Sequence, residues 1–160
     1  MLTDGRLGFV DFGAVARLPE GTPPTLGRLT RLALERNGDA VVAELKAANF
    51  LRPGITVEPD KVIDYLRPII DPLAVERFTF TREWMRTQAA RIGDPRSADA
   101  QVGRMLNLPP SYLLIHRVTL GSIAVLCQLG ATAPYRALAE RWQPGFLAEP
   151  DAAKSDDHTR

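Results

Sequence analysis

The apolar pattern of the chain changes period once, at Gly13, and everything after it repeats at helical spacing. Before that point Leu7, Phe9 and Asp11 alternate with Gly8, Val10 and Phe12, the two-residue period of a strand. Asp4-Gly5 ahead of them is a strong hairpin turn. Only Met1, Leu2 and Thr3 precede that turn, so the first arm of the hairpin is a stub. One short strand pair cannot make a sheet core. Such a chain must bury its apolar residues between helices.

Prolines and glycines divide the helical part into segments. Thr22 caps a first helix opened by Pro23-Pro24, with Leu26, Leu29, Leu32 and Ala33 at helical spacing as far as Arg36. Asn37-Gly38 stops it, and Asp39 caps a second helix that places Val41, Val42, Leu45 and Ala48 on one face before Arg52-Pro53-Gly54. Pro59-Asp60 starts a third, which carries Pro68 late and breaks at Asp71-Pro72. Further helices are expected from Thr81 to Ile92, from Ser97 to Leu106, from Ser111 to Leu129 between Pro109-Pro110 and Gly130, and from Pro134 to Trp142. The expected fold is mainly α: a short N-terminal β-hairpin, then six or seven helices. Beyond Pro144 the pattern fades, and residues 147–160 read as a disordered tail.

Composition narrows the function. With 45% hydrophobic and 24% charged residues in a length of 160, the chain can bury a real core. A net charge of +1 argues against a nucleic-acid protein, which would show a basic face. The single cysteine, Cys127, excludes a disulfide framework and a multi-cysteine zinc site, and two histidines leave little for a metal cluster. The N-terminus lacks the charged start and apolar stretch of a targeting segment. The longest apolar run, SYLLIHRVTLGSIAVLCQLG, contains His116, Arg117 and Gln128, which predicts a buried helix rather than a transmembrane span.

One motif carries chemistry. Asp11-Phe12-Gly13 stands where the apolar strand ends and a D-G turn precedes it. In kinase-like sites an aspartate so placed holds the Mg²⁺ that bridges nucleotide phosphates, a hard cation that wants oxygen ligands. The bland reading is a strand-end cap followed by a core phenylalanine.

Longer stretches extend the likeness. DGRLGFVDFGAVARLPEG resembles the metal-binding strand and turn of the UbiB-like (AarF) atypical kinases. RNGDAVVAELKAANFLRPG is similar to the helix pair that follows it in that family, and YLRPIIDPLAVERFTF to the proline-broken helix after those. LPPSYLLIHRVTLGSIAVLCQLGATAPYRALAERWQPGF resembles the family's closing long helix, loop and final helix. The resemblance runs in order from Leu2 to Phe146. It implies that residues 1–146 are part of the large, C-terminal lobe of a kinase-like fold, with Asp11 as metal ligand and Asp11, Phe12 and Gly13 at the nucleotide site. ATP and Mg²⁺ are implied as cofactors, and quinone or lipid metabolism as the setting. The family's H-x-D-x-H-P-G-N catalytic loop is not in this sequence; its place would be just before Met1. The nucleotide-covering loop and phosphate-contacting lysine belong further upstream. No catalytic residue is therefore assigned here. The strand stub makes Met1 an expected internal residue of a longer polypeptide, and the expected partners are that N-terminal kinase region or a separate protein. Peripheral lipid or quinone contact from the cytoplasm is a further expectation.

Other residues have a functional and a plainer reading. His116 and Arg117 form either a buried polar pair facing a ligand or a satisfied polar stripe of a packed helix. Cys127 reads as a small core residue. Trp84, Met85 and Trp142 read as core anchors or lobe contacts. Arg82, Arg86 and Arg91 follow an approximate helical spacing and could hold an anionic head group, although a solvated face explains them as well. No G-x-S-x-G occurs, and His158 lies in the polar tail. Two other functions stay open. One is a truncated, non-catalytic helical module that docks a protein or lipid. The other is an all-helical ligand-binding domain, against which the initial strand and Asp11-Phe12-Gly13 speak.

Overall fold

The computed structural model describes residue 15 and residues 17–148. The expected N-terminal hairpin, Asp11-Phe12-Gly13 and the tail from residue 149, with His158, lie outside the described residues. Within them the chain is mainly helical: α1 (Pro24–Leu34), α2 (Gly38–Ala47), α3 (Pro59–Ile70), α4 (Arg82–Gly93), α5 (Ala98–Met105), α6 (Pro110–Leu129) and α7 (Tyr135–Trp142). A 3-10 turn at Asp71–Leu73 follows α3. Strands β1 (Phe78–Thr79) and β2 (Thr132–Ala133) pair antiparallel, Phe78 opposite Ala133 and Thr79 opposite Thr132. Their hydroxyls, Thr79 Oγ1 and Thr132 Oγ1, share a hydrogen bond of 2.8 Å. Two residues per strand are too few to show a period, so this pair had no signal in the sequence.

The helix starts differ from expectation in two places. Pro23, not Thr22, occupies the cap position of α1, and no side chain caps that end. Pro24 at the first helical position has no N–H to satisfy, which lowers the need for one. Asn37 is the cap of α2, its Oδ1 accepting from the Ala40 N–H at 3.2 Å, while Asp39 sits in the first turn. The stop of α1 is Arg36, which takes a left-handed φ of 57°, with the Asn37 N–H donating back to Leu32 O at 3.0 Å. Gly38 therefore begins α2 instead of ending α1. A Cβ there would stand 2.7 Å from Pro59 Cβ, so glycine lets α2 and α3 approach. Thr81 and Ser97 cap α4 and α5 through their hydroxyls, accepting from Trp84 N and Ala100 N at 3.0 Å each.

Pro68 sits inside α3. It has no N–H, so the Asp64 carbonyl one turn earlier loses its helical donor. Arg91 Nη2 donates to that carbonyl at 2.9 Å. The same guanidinium pairs with Asp99 Oδ2 at 2.9 Å and donates to Gln88 Oε1 at 3.1 Å. One arginine thus ties α4 to α5 and repairs α3.

The main core lies between α1, α2, α3 and α5. Leu29, Ala33, Val41, Leu45, Val62, Ile63, Ile70 and Val102 are buried there, together with Phe50, Leu51 and Val57 from the loops. Arg28 on α1 and Glu44 on α2 form an ion pair at 2.7 Å across its edge. A second, smaller cluster joins β1, α4, α6 and α7. Phe80 packs edge-on against Phe78, Trp84 and Tyr135, with centroids 5.0, 5.1 and 4.8 Å away. Trp84 is the aromatic anchor expected of it. Trp142 is not: it stands 69% exposed, with the Arg141 guanidinium 4.7 Å from its ring centroid.

The largest correction concerns α6. The sequence predicts a buried helix, but only Cys127 along it is buried. Leu113, Val118, Leu120, Val125 and Leu129 are all exposed, and every residue from His116 to Ser122 is exposed around the full turn. The ends are held, Tyr112 edge-on against Phe50 at 4.8 Å and Cys127 within the aromatic half. The middle is exposed among the described residues. Hydropathy reports what a helix would bury, not whether a partner is present to bury it.

Candidate functional site

Three places among the described residues bring chemistry together, and none of them contains the Asp11 site, which lies outside those residues. The first is a groove between α4 and α6. Its volume is about 450 Å³, and Arg82, Met85, Arg86, Ala124, Cys127 and Gln128 line it. Residues 82 and 86 fall about 40° apart around a helix, so both guanidinium stems project along one line of α4. Arg91 is about 180° from Arg82 by the same spacing, and the structure puts it in the α3–α5 junction instead. The arginine trio of the sequence thus separates into one structural residue and one pair at a groove. Angular arithmetic finds that separation; the looser notion of helical spacing conceals it.

The Cys127 thiol forms part of the groove floor. Burial pushes its pKa above the ordinary value, so it is protonated and a poor nucleophile at neutral pH. Reaction with a disulfide reagent at pH 8 is expected to be slow in the native protein and to rise about tenfold or more on unfolding. Equal rates in the folded and unfolded protein would contradict this burial.

The second place is a groove beside α5, lined by Tyr65, Ile92, Asp99, Gly103 and Arg104 among others. Burial raises the Tyr65 pKa, and the Asp99 carboxylate raises it further. The phenol keeps its proton in the folded state above pH 10, where the unfolded chain already releases it. Its contribution to stability is complete below about pH 10 and is lost as pH rises through the folded value. A Tyr65→Phe variant is expected to show a smaller fall in stability between pH 9 and 11 than the parent; an equal fall would contradict the shift.

The third place is the middle of α6. His116 and Arg117 are exposed there, so they form neither a buried pair nor a satisfied core stripe. Among the described residues no group of three or more His, Cys, Asp or Glu side chains could hold a metal ion. By length and composition α6 is long and apolar enough to cross a membrane.

Comparison with family models and with curated proteins gives no match. Among solved structures the chain is similar to Rv3197 from Mycobacterium tuberculosis, whose structure is a complex with erythromycin. The TM-score is 0.77 and the identity 39%, over 93% of this chain and 36% of that one. The chain therefore spans little more than a third of the length of the protein it matches.

Proposed function

We propose that this chain is the C-terminal part of the large lobe of a UbiB-like (AarF) atypical kinase or ATPase. In this reading Asp11 is a magnesium ligand, with Phe12 and Gly13 beside it at the ATP site. The chain alone is inactive, because phosphoryl transfer needs the complete set of charge-neutralising and positioning groups. The setting is quinone or lipid metabolism, in the cytoplasm with peripheral contact at a membrane.

The observation that supports a larger body is the bare middle of α6. An apolar helix exposed around its full turn is the interior of something larger. The likeness to a much longer protein, with over nine-tenths of this chain matched, supports the same reading. A non-catalytic helical module would use the same bare helix to dock a partner protein or lipid, and activity separates the two.

The purified 160-residue chain is expected to show no saturable ATP hydrolysis. A longer native protein containing it should turn over ATP with Mg²⁺ and lose at least ~100-fold on Asp11→Ala. Saturable hydrolysis by the short chain, abolished by Asp11→Ala, would overturn the claim that it is inactive alone. Full activity of the longer Asp11→Ala protein would overturn the role of Asp11.

A further inference from the structure

The arginine pair on α4 lines the groove, and among the described residues no carboxylate lines it with them. Among the described residues neither Arg82 nor Arg86 forms an ion pair, while six other basic residues do. Glu83 stands on the same helix, about 100° around from Arg82. The floor is Met85, Ala124 and the buried Cys127. Counting back along α6 by helical spacing, Ala124 continues to the exposed Leu120 on the same face.

We propose that the α4–α6 groove binds a single-chain amphiphile with an anionic head, a long-chain carboxylate, with its head on Arg82 and Arg86 and its chain over Met85, Ala124 and Cys127 toward Leu120. Charge and shape agree on this ligand. Two adjacent guanidinium groups favour a compact anion through paired, charge-assisted hydrogen bonds. An apolar floor favours a hydrocarbon body. The groove is open to solvent, and its volume of about 450 Å³ accommodates the head group and the adjoining part of a hydrocarbon chain. Gln128 at the rim leaves one polar contact for the second head-group oxygen. This binding needs the Leu120 face of α6 uncovered, as it is in the 160-residue chain.

Titration of the 160-residue chain with oleate below its micelle concentration, followed by amide chemical shifts and calorimetry, tests this directly. Saturable one-to-one binding is expected, with shifts confined to α4 and the C-terminal half of α6. The double variant Arg82→Gln/Arg86→Gln should bind ~10-fold or more weakly, with unchanged far-ultraviolet circular dichroism, because both side chains are exposed. Ala124→Leu, which fills the floor and keeps both charges, should weaken binding as well. Oleyl alcohol should bind weakly and acetate not at all, since head and chain are both required. Absence of saturable oleate binding, or equal affinity in both variants, would overturn the proposal. Binding to anionic vesicles without binding to free oleate would also overturn it and assign this face to a membrane surface.

Discussion

Gly27→Ala is expected to destabilise the protein by roughly 3 kcal/mol, at the upper end of what overpacking costs. Gly27 is buried in α1, where alanine would ordinarily be the better helix former. Here the added methyl has no space. It would lie 2.5 Å from Phe146 N and 2.7 Å from Gly145 C, with Pro144 O nearer still. All three are backbone atoms, so no side chain can rotate away. The approach is reciprocal: Gly145 has a φ of +77°, and a Cβ on it would meet the Pro24 backbone. The pair locks the turn after α7, and the buried Phe146, onto the start of α1. Gly121→Ala in α6 is the internal control. Nothing lies within 4 Å of its Cβ position, and the change should stabilise by up to ~1 kcal/mol. Urea denaturation of both variants measures the contrast. Similar effects at the two positions would refute the close approach of α1 and the C-terminal turn.

Phe80→Ala should cost ~3–5 kcal/mol and should not act evenly across the molecule. Phe80 is 4% exposed and touches three other rings. Its N–H donates to Ala131 O at 3.0 Å, next to the β1–β2 pair. Neither α4 nor α7 buries a residue of its own, so α7 and the first half of α4 depend on this aromatic cluster for their seat, while Arg91 ties the end of α4 to α5. The helices α1, α2, α3 and α5 have a separate core around Val41, Val62 and Ile63. Removing the Phe80 ring is therefore expected to abolish hydrogen-exchange protection in α7, the first half of α4 and the end of α6, and to leave α2 and α3 protected. Uniform loss of protection over all helices would show a single cooperative core and contradict the two-cluster description.

The helices were legible because their boundaries are written in residues with local reasons. Pro59, Thr81, Ser97, Pro110 and Gly130 all mark ends in the structure where chemistry requires them. Asn37-Gly38 is equally good as a stop and as a start, and only the left-handed Arg36, a conformation few side chains adopt, makes it the start of α2. Pro68 is tolerated through Arg91, which donates to the Asp64 carbonyl 27 positions earlier, a contact that no local pattern encodes. The exposure of α6 was illegible for a different reason. Burial of an apolar helix is a property of its neighbours, and its own sequence is the same with or without them. The groove was half legible: the angle between positions separates Arg82 and Arg86 from Arg91, but the apolar floor contributed by α6 has no local signal. The nucleotide-site residues Asp11, Phe12 and Gly13 rest on sequence resemblance, since they lie outside the described residues.

The central claim is that this chain is one part of a larger kinase-like body, and the intact mass of the protein in its native source tests it most directly. A species much heavier than 17.6 kDa, containing peptides on both sides of Met1, is the predicted result. It would make Met1 internal and supply the protein that encloses α6. A native species of 17.6 kDa would contradict the account. The bare helix would then belong to a short docking protein without a kinase site of its own.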